Sequence, residues 1–212
     1  MAVARRGLML AAGVLLLLAP TRAWAGAPTD RLKAEIDRVL EVLEDPELKK
    51  PGKVRERRAA VRRIADGIFD FGETAKRSLA RHWAARTPAE REEFVQLFAD
   101  LLERSYISKI ELYGGEKIVY SGERVDADLA TVSTRIMTKN GTEVPVDYRL
   151  FKRGDRWMIY DVSVEGISLV SNYRTQFNKI IQTNGYNGLV EKMKTKQTEF
   201  AEEEAQKKKV KN

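Results

Sequence analysis

Apolar residues recur at spacings of three and four through the first half of the chain, and then switch to alternation, so helices precede strands. Leu32, Ile36, Val39, Leu40 and Leu43 form the first helical stripe, and Pro46 and Pro51-Gly52 end it. A second helix carries Val54, Val61, Ile64, Ala65 and Ile68. Its arginines, Arg55, Arg57, Arg58, Arg62 and Arg63, fall mostly off that stripe and read as a solvated face in preference to an anion-binding one. After Phe69-Asp70-Phe71-Gly72 a short helix is expected through Leu79. Thr87-Pro88-Ala89-Glu90 is a capping box with proline at the first helical position. The long helix it starts has the stripe Phe94, Leu97, Phe98, Leu101, Leu102, Tyr106 and Ile110, and stops at Gly114-Gly115.

Residues 117–165 read as an antiparallel meander of about four strands, with turns at Ser121-Gly122, at Asn140-Gly141 and around Gly154. Three runs each have one apolar face: Ala130, Val132, Thr134, Ile136; Val144, Val146, Tyr148, Leu150; and Met158, Tyr160, Val162, Val164. All are even-numbered. A two-residue loop would pair even with odd positions and turn one set away from its neighbour, so the first hairpin should close through Lys139-Asn140-Gly141, with Gly141 left-handed. The same parity predicts Arg153-Gly154-Asp155 as a three-residue loop, placing Leu150 opposite Met158, Tyr148 opposite Tyr160, and Val146 opposite Val162. The other face carries Arg135, Asp147, Arg149 and Asp161, which read as a charged outer surface in preference to an acid–base pair.

Leu169, Val170, Tyr173, Phe177, Ile180 and Ile181 then form an amphipathic helix ending at Asn184-Gly185, and a last helix follows Asn187-Gly188. Residues 206–212 form a charged tail with no apolar face to bury, expected to be flexible. The pattern is α+β: a sheet with one broad apolar face against several amphipathic helices.

Composition narrows the chemistry. The 212 residues include no cysteine and one histidine, His82, which excludes disulfides, thiol nucleophiles, cysteine-ligated metals and multi-histidine sites. Three of the 38 basic residues, Arg5, Arg6 and Arg22, and no acidic ones lie in the first 25, so the remainder carries +4 rather than +7. That balance does not argue for nucleic acid. Arg5-Arg6, an apolar run over residues 7–19 and then Ala23-Trp24-Ala25 have the three regions of a secretory signal over residues 1–25. The run is shorter than the roughly 20 apolar residues a spanning helix needs. The expected mature unit is one domain over residues 26–205. No nucleophile elbow, metal-ligand spacing or phosphate-binding glycine loop is present; His82 with Asp70 or Asp161 is the natural candidate if the protein were an enzyme.

The string Trp157-Met158-Ile159-Tyr160-Asp161-Val162-Ser163-Val164-Glu165-Gly166-Ile167-Ser168-Leu169-Val170-Ser171-Asn172-Tyr173-Arg174-Thr175-Gln176-Phe177 resembles the MlaC family, also called the toluene-tolerance auxiliary family. Phe69-Asp70-Phe71, His82-Trp83, the 94–106 helix, Val146-Asp147-Tyr148 and the 185–189 segment match as well. Ala80-Arg81 departs from the pattern, because family members often have glycine before the aromatic residue.

The resemblance implies a periplasmic phospholipid shuttle that is not an enzyme and has no cofactor, its cargo held between a curved antiparallel sheet and helices, NTF2-like in general architecture. It implies exchange with an outer-membrane lipoprotein complex and with an inner-membrane ABC transporter bearing a ring of MCE domains, in the service of outer-membrane lipid asymmetry. A monomer without stable membrane insertion is expected. The cavity lining would come from Val132, Ile136, Val146, Tyr148, Leu150, Tyr160, Val162 and Val164 of the sheet and from Leu101, Tyr106, Ile110, Leu169, Val170 and Tyr173 of the helices. Tyrosine hydroxyls could lie near glycerol or phosphate oxygens at the mouth. A carrier of another apolar lipid such as a hopanoid, or a non-catalytic envelope adaptor with a solid core, are the alternatives.

Overall fold

The computed structural model describes residues 27–210; the expected leader lies outside them. Helices α1 (Ala27–Glu44), α2 (Val54–Ile68), α3 (Phe71–Leu79) and α4 (Pro88–Glu111) precede a meander of β1 (Lys117–Asp126), β2 (Leu129–Met137), β3 (Glu143–Arg153) and β4 (Arg156–Val164). A two-residue β5 (Ile167–Ser168) then leads into α5 (Leu169–Val210). The five strands form one antiparallel sheet in sequence order, so the meander has one short strand more than expected.

The capping box forms as read: Thr87 N–H donates to Glu90 Oε2 at 2.7 Å, and Glu90 N–H to Thr87 Oγ1 at 3.2 Å. Phe94 and Phe98 from that helix meet Tyr173 and Phe177 of α5 in edge-to-face contacts of 5.0–5.5 Å, each worth about 1 kcal/mol beyond burial. α5 is not one straight rod. Gly185, at φ 70° and ψ 176°, breaks it into two helices, a conformation that costs glycine little. Tyr186 is thereby buried against the same cluster, its hydroxyl donating to the Glu90 carbonyl. Helical backbone continues through residue 210.

The first hairpin matches the parity argument. Thr138 N–H donates to the Thr142 carbonyl, residues 139–141 form the loop, and Gly141 has φ 82°. The second hairpin does not. Arg153 pairs with Arg156 across a two-residue loop, and a bulge then falls opposite the Arg149/Leu150 step. Leu150 therefore faces Ile159, while Tyr148 faces Val162 and Val146 faces Val164. A two-residue loop followed by one extra residue restores the even parity of the apolar faces by another route. Ser121-Gly122 is likewise a bulge inside β1, and the β1–β2 turn lies at Ala127-Asp128, where Ala127 takes a positive φ that sequence does not advertise.

Two electrostatic readings change. Three of the α2 arginines reach α4 instead of facing only solvent: Arg57 and Arg58 each donate to Glu111 at 2.9 Å, and Arg62 bridges Asp66 and Glu103. Burial pushes the Glu111 carboxyl up, but the hydrogen bonds from Arg58 and Arg57 outweigh it and hold the pKa below the usual carboxylate value. Asp161 is buried rather than on an outer surface. It accepts from Ser168 Oγ at 2.6 Å and from Val170 N–H at 3.0 Å, and pairs with Arg149, so it ties the start of α5 to β4.

Ala80 sits at φ 48° and ψ −120°, where an L side chain is strained. This is the position at which the sequence departs from a glycine pattern. Ala80→Gly is expected to raise the urea midpoint, by about 1 kcal/mol of stability; an unchanged or lower midpoint would contradict the strain.

Candidate lipid-binding site

Register sets one continuous sheet face. It carries Ile118 and Tyr120 from β1, Ala130, Val132, Thr134 and Ile136 from β2, Val144, Val146, Tyr148 and Leu150 from β3, and Ile159, Val162 and Val164 from β4. α1 packs over one end of this face. Thr29 donates backbone and side-chain bonds to Glu123 of β1, and Leu32 joins Ala130, Val132, Leu150 and Ile159 in a buried cluster with Ile68 of α2.

The helices α3, α4 and α5 bury a separate cluster centred on Leu79, Phe94, Phe98 and Leu189, and Leu43, Val61 and Ile107 form a third. A domain of this size ordinarily has one contiguous core. α1 approaches three strands closely and α2, α3 and α5 approach β4, whereas α4 makes no comparable approach to any strand among the described residues.

The expected lining residues divide by position. Val132, Val146 and Leu150 are buried on the sheet face, and Val132 and Leu150 belong to the α1–sheet cluster. Ile136, Tyr148 and Val162 are half-buried on the same face. Val170 is buried and Leu169 half-buried at the start of α5. Tyr106 of α4 lies beside Tyr173 of α5, and burial raises the Tyr106 pKa above the usual phenol value. Leu101 packs partly buried on the helical cluster. Tyr160, by contrast, follows the bulge: its ring meets Phe151 and lies 4.0 Å beneath the Arg77 guanidinium.

Tyr148 is half-buried on this face, packed against the α1–sheet cluster, and burial pushes its pKa up to about 12.

One end of the sheet carries several exposed apolar residues. The α4 C-terminus, the start of β1, the 138–142 loop and the β4–β5 turn meet there by register, and a Cβ on Gly114 would lie 2.9 Å from Lys139 Nζ across that junction. Ile110 and Val164 are partly exposed at this end, Leu112 is 81% exposed and Ile167 65%. Leu112 and Ile167 were not among the sequence candidates, since a single apolar residue in a turn has no period to mark it.

The acid–base candidates stay apart. His82 Nε2 lies 3.0 Å from Asn178 Oδ1, Asp70 caps α3 and pairs with Arg153, and Asp161 holds α5. A groove of about 530 Å³ runs between α3 and α4, lined by Lys76, Trp83, Arg91, Glu92 and Arg153 among others, away from the sheet face. Among the described residues no helix is long and apolar enough to cross a membrane.

A family model described as MlaC protein matches residues 33–195, spanning the helices, the sheet face and most of α5. The chain belongs to the MlaC family. A Haemophilus influenzae relative, described as the intermembrane phospholipid transport system binding protein MlaC, is 23% identical over 120 residues, 54% of this chain and 56% of its own length. A toluene tolerance protein from Pseudomonas putida is 27% identical over 128 residues, 59% of this chain and 60% of that protein. The chain thus spans little more than half the length of these curated relatives. A solved phospholipid-binding protein from Ralstonia solanacearum, in complex with a phospholipid, superposes with a TM-score of 0.75 at 26% identity and covers 83% of this chain and 99% of that one. This MlaC-family chain therefore shares its α+β fold with a protein that holds a lipid.

Proposed function

We propose that this protein is a periplasmic carrier that holds phospholipid acyl chains between its sheet face and α4–α5. The observation that carries the reading is the broad apolar sheet face, whose cluster is separate from that of α3–α5 and which ends in exposed Ile110, Leu112, Val164 and Ile167. The phospholipid in the Ralstonia relative and the name of the Haemophilus relative support the same cargo.

The physical need for a carrier is large. Moving about 28 methylenes of two acyl chains from water to an apolar site is worth roughly 22 kcal/mol, so a bare phospholipid crosses water slowly. A carrier must nearly match the bilayer as a solvent, which calls for a dry chamber near the upper range of ligand pockets, about 1,000 Å³. Loading is then close to balanced, and direction comes from partners: on this reading an inner-membrane ABC transporter with an MCE-domain ring and an outer-membrane lipoprotein complex, with residues 1–25 removed on export and residues 26–205 as the working domain. The chamber is lined by Ile136, Val146, Tyr148, Val162, Val170, Tyr106 and Tyr173, with no catalytic step assigned to His82.

The rim has a kinetic consequence. Exposed leucine and isoleucine at a chamber mouth lower the cost of bringing that mouth against a membrane or a partner's apolar surface. Leu112→Asp together with Ile167→Asp is expected to slow transfer of labelled phospholipid between vesicles by about tenfold, the effect of roughly 1.4 kcal/mol at the docking step, with bound lipid per folded protein unchanged. Unchanged transfer would place the mouth elsewhere. Loss of lipid binding by the parent protein in the same assay would overturn the carrier reading itself.

A further inference from the structure

Tyr120 pairs with Thr134 across β1 and β2, Thr134 pairs with Val146, and Tyr148 stands one pair further along, opposite Val132. Three hydroxyls thus lie side by side across an otherwise aliphatic sheet face. Thr134 Oγ1 donates its proton to the Val146 carbonyl at 3.0 Å. Tyr120 Oη is buried without a hydrogen-bond partner among the described residues, a state that native interiors seldom leave unfilled.

The chemistry of the missing partner is constrained. Burial, with Asp37 and Tyr148 adding to it, raises the Tyr120 pKa above the ordinary phenol value, so the group is a neutral O–H donor across physiological pH. What its proton lacks is an acceptor. An uncharged acceptor fits better than a phosphate, because the Asp37 carboxylate acts on Tyr120 and repels an anion. In a diacyl lipid the uncharged acceptor joined directly to the chains is the ester carbonyl.

We propose that the Tyr120 hydroxyl donates to an acyl ester carbonyl of the bound lipid and makes the protein selective for ester-linked over ether-linked chains. This rests on the carrier reading above. An ether-linked lipid of the same head group and chain length fills the same apolar volume but lacks the carbonyl, so it leaves the donor unpaired.

The test offers the purified protein vesicles that contain equal amounts of dipalmitoyl phosphatidylglycerol and its dihexadecyl ether analogue, and measures the two on the folded, lipid-bound protein by native mass spectrometry. The expected ester-to-ether ratio is about five, the scale of one neutral hydrogen bond, and Tyr120→Phe brings it to about one. The ratio is internal to each sample, so it does not depend on how much of the variant is loaded. Equal uptake by the parent protein, or a preference that survives Tyr120→Phe, would overturn the assignment and leave a trapped water as the partner. Uptake of neither lipid by the parent protein would overturn the assignment together with the carrier reading on which it rests.

Discussion

Val162→Asp is expected to leave a folded protein that retains less than a tenth of the phospholipid carried by the parent chain. Val162 is half-buried on the sheet face, opposite Tyr148, and packs at the edge of the cluster that Leu32 of α1 forms with the sheet. If that edge borders a chamber, a carboxylate there finds water when the chamber is empty and repels hydrocarbon when it is not, so the penalty appears in lipid binding more than in folding. If the edge is solid core, the same substitution buries an unpaired charge and the domain unfolds. Val125→Asp is the matched control: Val125 shares the face at the opposite end of the sheet and is about half exposed, and its substitution should leave bound lipid unchanged. A folded Val162→Asp protein with a full complement of lipid would contradict the assignment of the face.

The second large effect concerns stability. Asp161→Ala should lower unfolding free energy by about 3 kcal/mol in urea titration, because it strips the buried Val170 N–H of its acceptor, removes the bond from Ser168 Oγ and frees the start of α5. Asp161→Asn keeps an acceptor for Val170 and should lose about half as much. Since α5 begins with Leu169 and Val170 and carries Tyr173 to its place beside Tyr106, the alanine variant should also hold lipid less tightly. A neutral Asp161→Ala would show that α5 is anchored by packing alone.

What the sequence made legible follows from how local each cause is. The Thr87–Glu90 capping box involves residues three apart, and Gly141 marks its loop because few other residues tolerate its φ. The apolar parity of β2 and β3 could be read for the same reason: it depends on one loop. The β3–β4 register could not, since a two-residue loop followed by a bulge also keeps Val162 and Val164 on the apolar face, while it puts Ile159 there in place of Met158 and Tyr160. Ala127 turns the chain without glycine or proline, which left Ser121-Gly122 as the visible signal and hid the place of Ile118 and Tyr120 on the face.

Asp161 and the α2 arginines were misread for a longer-range reason. Their partners, Val170 and Ser168 in one case, Glu103 and Glu111 in the other, become neighbours only when α5 folds back on β4 and α4 lies along α2. The rim is similar: Leu112 and Ile167 are isolated apolar residues until the register brings the α4–β1 junction and the β4–β5 turn to one end of the sheet.

The most direct measurement is to purify the exported protein from cells under native conditions, extract it with organic solvent and quantify the lipids by mass spectrometry. The carrier account predicts phospholipid at close to one molecule or more per protein, lost in Val162→Asp and retained in Val125→Asp. A folded parent protein with background lipid only would contradict a phospholipid chamber and favour a solid core with an adaptor role, while a stoichiometric hopanoid would keep the chamber and change its cargo.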